Sequence, residues 1–134
     1  MEMRAYVAEQ AAALLRRLVF RAKRVMKLPD PDAVHDLRVA IRRFAQCLRV
    51  FAQFFPAAET KRIRRRLRGV MQLAAEARDH DIALALWKEA GLPATGVAGR
   101  LARERKQDAR RLIEGLRQLE ERDFSRKWRR RLRL

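Results

Sequence analysis

The chain of 134 residues has no asparagine, a single cysteine, and three hydroxyl side chains apart from its one tyrosine (Thr60, Thr95 and Ser125). Each shortage excludes something. The lone Cys47 excludes an internal disulfide and fits a reducing compartment. Few hydroxyls, no Gly-rich phosphate loop and no nucleophile–base set argue against an enzyme. No apolar run approaches the roughly 18 residues of a membrane span. The first residues, Met1 to Tyr6, are interrupted by charge and lack a signal-peptide core, so the expected compartment is cytoplasmic. Acids are scarce as well: 16 against 33 basic residues, a net charge of +17. That excess speaks of partners rather than of fold, and admits nucleic acid, polyphosphate, anionic membranes and acidic proteins. It is spread along the chain, with 11 basic and 5 acidic residues in 1–56, 8 and 5 in 57–95, and 14 and 6 in 96–134.

What is present is helical periodicity. Hydrophobic residues make up 49% of the chain, enough for one domain over 1–134 with a real core, and nothing alternates as a strand would. The expected fold is an all-α antiparallel bundle. Its long helices are near 3–27, 31–55, 57–76 and 96–121, with shorter ones between and after. Asp30 and Pro31 read as the cap and first residue of the second helix, which should stop before Pro56.

The second helix organises the rest. Val34, Leu37, Ile41, Phe44, Leu48, Phe51 and Phe55 share an apolar face. Beside it, His35, Arg38, Arg42, Gln46, Arg49 and Gln53 form a row about 27 Å long with no acid in it. A solvated face normally mixes both signs. Donors of one sign in a row suit a long polyanion, and arginine suits phosphate because its planar fork donates two parallel hydrogen bonds. Arg17 and Arg21 of the first helix flank its apolar face and could extend the row.

In the third helix six of the eight residues Lys61–Arg68 are basic. Arg62, Arg64 and Arg66 flank its core face, where they could line a groove, while Lys61, Arg65 and Arg68 oppose it. Arg78-Asp79-His80-Asp81 should open a separate short helix, with Asp79 or Asp81 as its cap. No metal-ligand spacing occurs there. Gly91 reads as the residue just past a helix end, and Thr95 as the next cap. On the last long helix Arg105 and Asp108 fall on the apolar stripe. Either they pair across helices or Arg105 reaches an anion site. Asp123 can cap a final basic helix, short enough to favour docking over lying on a membrane.

His35-x-x-Arg38-Val39-x-x-Arg42-Arg43 followed by Arg78-Asp79-x-Asp81-Ile82 resembles the first half of a CHAD domain, a conserved histidine α-helical module. The resemblance implies binding of inorganic polyphosphate at a basic surface, no cofactor, and an association with polyphosphate-containing granules. The expected site is His35, Arg38, Arg42 and Arg49, supported by Arg17, Arg21, Arg62, Arg66 and Arg105. Family members typically contain two related halves. A single half therefore suggests a homodimer, closed around apolar edges at Val50, Phe51, Phe54 and Phe55. The competing reading is a helical nucleic-acid-binding protein. Missing asparagine and aromatics at core spacings count against base recognition.

Overall fold

A computed structural model describes residues 2–93 and 95–134. Five α-helices make it up, α1 (Met3–Lys27), α2 (Pro31–Val50), α3 (Ala57–Glu89), α4 (Gly96–Glu121) and α5 (Phe124–Leu132), with one 3-10 turn at Ala52–Phe54 and no strand among the described residues. Successive helices pack as antiparallel neighbours, α1 also meets α4, and α5 folds back against α1, α3 and α4. The core takes Leu15 and Leu18 from α1, Phe44 and Leu48 from α2, Ile63 and Leu67 from α3, and Leu112 and Leu116 from α4. Trp128 of α5 closes it, stacked on Phe44 with ring centroids 6.2 Å apart and edge-on to Phe124 at 5.0 Å. The final helix is therefore docked.

The start of α2 follows the sequence signals. Asp30 Oδ1 accepts from the Ala33 amide at 2.8 Å, and Pro31 occupies the first turn, where its missing N–H costs nothing. Gly91 (φ +67°) ends α3 in a Schellman arrangement: the Gly91 amide donates to the Lys88 carbonyl and the Leu92 amide to that of Trp87.

Four expectations need correction. The third and fourth helices are one helix of 33 residues, about 50 Å long. Nothing between Ala74 and Arg78 breaks it, and Ala74-Ala75-Glu76-Ala77 are strong helix formers. Asp79 and Asp81 thus lie inside α3 and cap nothing. The second helix stops at Val50 instead of 55. Pro56 forces Phe55 into extended backbone, and the 3-10 turn carries Phe55 into the core. Phe51 and Phe54 are half-buried against that core too, which leaves Val50 as the one fully exposed member of the edge expected to hold a second copy. Finally, Asp123 adopts left-handed backbone (φ 52°) and makes no side-chain cap, and Thr95 precedes α4 without one.

Candidate polyanion-binding groove

Between α2 and α3 lies an open groove of about 230 Å³. Ile41, Ala45, Leu67 and Met71 form its floor; Arg42, Gln46 and Arg49 come from α2, and Arg64 and Arg68 from α3. Arg42 and Arg49 are two helical turns apart, about 10 Å, and Arg64 and Arg68 are one turn apart. No acid lines this groove. Among the described residues none of its four arginines forms an ion pair. Like charges one turn apart on a helix repel. Four such charges line one groove without an acid to neutralise them.

His35 and Arg38 continue the α2 row toward its start. His35 is exposed, and Arg38 is half-buried with a buried Nε that has no acceptor. The five remaining residues of the expected site go elsewhere. Arg21 donates to Asp36 at 3.3 Å, and Arg24 to the same carboxylate at 3.1 Å, which pins α1 to α2. Arg17 lines a separate cleft with Arg16 and Phe20. Arg62 is mostly exposed and lies 4.0 Å from Glu59 within its own helix. Arg66 faces a depression between α3 and α4, beside Gly69 and Gly115.

Arg105 is the clearest departure. Its Nε donates to Asp81 Oδ1 at 2.6 Å and an Nη to the Pro29 carbonyl at 2.7 Å. With 12% and 8% of their side chains exposed, Arg105 and Asp81 are a buried inter-helical pair. That pair ties α3, α4 and the α1–α2 connection together.

Next to it, His80 bridges two α4 carboxylates one turn apart. Its Nε2 bonds Glu104 at 2.8 Å and its Nδ1 bonds Asp108, which is buried. Partial burial alone would push the His80 pKa down. The hydrogen bonds to Glu104 and Asp108, with their negative charges, outweigh it and raise the pKa above the ordinary histidine value. Burial of Asp108 on a core stripe is thereby compensated. Sequence reading missed this role. The available signal was that His80 and Asp81 can face the same helix as Asp108 and Arg105 if α3 does not break. Cys47 is buried, and burial pushes its thiol pKa up, away from reactivity.

Arg42 of the first motif lines the groove, Asp81 of the second pairs with Arg105, and a model of the CHAD domain matches residues 9–134. The chain belongs to the CHAD domain family. No curated protein and no solved structure matches it significantly. At family level the CHAD domain is associated with polyphosphate binding and metabolism. Asp81, in the second motif, is thus part of an inter-helical lock and not of the groove. No described helix is long and apolar enough to cross a membrane.

Proposed function

We propose that this CHAD domain is a binding module, not an enzyme, which holds inorganic polyphosphate along the α2–α3 groove in the cytoplasm. The observation that carries the reading is the groove's lining: Arg42, Arg49, Arg64 and Arg68 from two facing helices, without an acid and without internal ion pairs. The helices fix where each arginine stem begins, and each planar guanidinium can donate to two phosphate oxygens. Arg38, with an unsatisfied donor, and exposed His35 extend the row.

The competing ligand, nucleic acid, shares the phosphate attraction and its fall with salt, so salt sensitivity does not separate the two. Competition at one fixed physiological salt concentration does. Long-chain polyphosphate should displace RNA and duplex DNA at lower phosphate concentration than either displaces it. The double variant R42Q/R49Q should lose polyphosphate affinity with an unchanged circular dichroism spectrum. The outward double variant R16Q/K23Q should bind nearly as the parent does. Equal losses from the two would mean diffuse attraction and would remove the groove.

A further inference from the structure

In a chain that is 37% charged, residues 82–99 carry two charged side chains, Lys88 and Glu89. They span the far end of α3, the connection and the start of α4. This end lies beyond the point where Arg105 grips Asp81 and the α1–α2 connection. Beyond that pair, from residue 82 to residue 103, no described residue is buried, and there α3 and α4 pack chiefly on one another. Two helices alone cannot enclose an apolar layer. Ile82, Leu86, Leu92 and Val97 are accordingly 44%, 59%, 49% and 41% exposed. Isolated exposed hydrophobics are ordinary on a protein surface. Four within sixteen residues of one nearly uncharged hairpin, with Ile82 and Leu86 one turn apart on α3, are a concentration of the kind that marks an interface.

We propose that this hairpin end is a self-association surface, packed in solution against the same surface of a second copy about a two-fold axis. Charge selects the occupant. Two chains of +17 repel wherever their basic faces meet, whereas residues 82–99 sum to zero. An isologous contact there places apolar against apolar and lets Lys88 and Glu89 pair reciprocally across the axis. It supplies the missing layer as well, since two helical hairpins side by side make a four-helix arrangement. An acidic protein would be drawn instead to the arginine faces. A bilayer would favour apolar groups gathered at the tip, but Ile82 lies ten residues before Leu92, on the flank of α3. The surface is separate from the groove and does not depend on what the groove binds.

Sedimentation velocity of the full chain over a concentration series tests the proposal. The parent should dimerise, and L86R should raise the dimer dissociation constant at least about tenfold. V97R, on the other helix, should do the same, which guards against a folding defect in either variant. F20R, at an equally exposed apolar side chain on α1, and the groove variant R42Q/R49Q should both still dimerise. A parent that stays monomeric to about 100 μM would overturn the proposal. So would a dimer unaffected by L86R and V97R, or a monomer whose binding to anionic phospholipid vesicles is lost in those variants.

Discussion

Two stretches of α3 face solvent for opposite reasons. Around Arg64 and Arg68 the helix is packed on one side by the core and is crowded with positive charge on the others. Around Ile82 and Leu86, about four to six turns further on, it is nearly uncharged and lacks a third layer. The first stretch accumulates charge that its own fold does not neutralise; the second leaves apolar area that its own fold does not cover. Between them the Asp81–Arg105 and His80–Asp108 contacts bind α3 to α4. An exposed surface is therefore informative through what it lacks: acids in one stretch, charge of either sign in the other.

The contrast can be broken most strongly at the groove. R64Q/R68Q should weaken polyphosphate binding as much as R42Q/R49Q, on the order of a hundredfold at low salt, because each lost guanidinium removes a phosphate contact and its counterion release. Titration calorimetry at two salt concentrations measures this. R62Q/R66Q, the pair expected from sequence, should cost several-fold less, since Arg62 and Arg66 do not line the groove.

The packing of α5 and the polar contacts between α3 and α4 should respond in stability with little change in ligand affinity. Truncating Trp128 to Ala removes the ring stacked on Phe44 and should cost about 3–5 kcal/mol in urea unfolding. Asp108→Ala leaves His80 with one carboxylate and should cost about 1–3 kcal/mol. Polyphosphate affinity of the folded D108A protein should match the parent, because no groove residue touches this cluster.

The smallest effect expected is a pH dependence. His80 has a raised pKa in the folded chain, so its contribution is fully present below the ordinary histidine value of about 6.5 and is lost as pH rises through the raised folded value. The stability difference between the parent and His80→Asn should be largest in mildly acidic solution and should narrow toward alkaline pH. Thermal melts across that range check it, and a difference that grew with pH would contradict the assignment.

Much of this was legible in one dimension. The apolar stripe of α2 gave the core residues Val34, Leu37, Ile41, Phe44 and Leu48, and the Asp30–Pro31 signal gave its start. Arg42 and Arg49 were legible as well, because side chains seven residues apart share a helix face wherever the helix is placed. Arg64 was legible only as one of three flanking arginines that could line a groove, and Arg68 was expected to oppose the core. Which flank of α3 turns toward α2 depends on the sense in which the helices wind about the core, and a helical wheel carries no such information. The same limit assigned Arg21 to a ligand when Asp36 of the neighbouring helix already held it.

The sequence by itself determined the helical period, the capping of α2, the glycine that ends α3, and a basic excess too evenly spread to be a tail. Those are local quantities, fixed by backbone geometry, side-chain chemistry and composition. Only the tertiary structure decided that α3 continues through Asp79, that Phe55 turns inward, that Arg105 is spent on Asp81, and that four particular arginines share one groove. Each of these depends on which distant residue lies across from it. Burial makes that pairing decisive: an arginine beside a buried carboxylate is committed to it, while the same side chain facing water remains free for an anion.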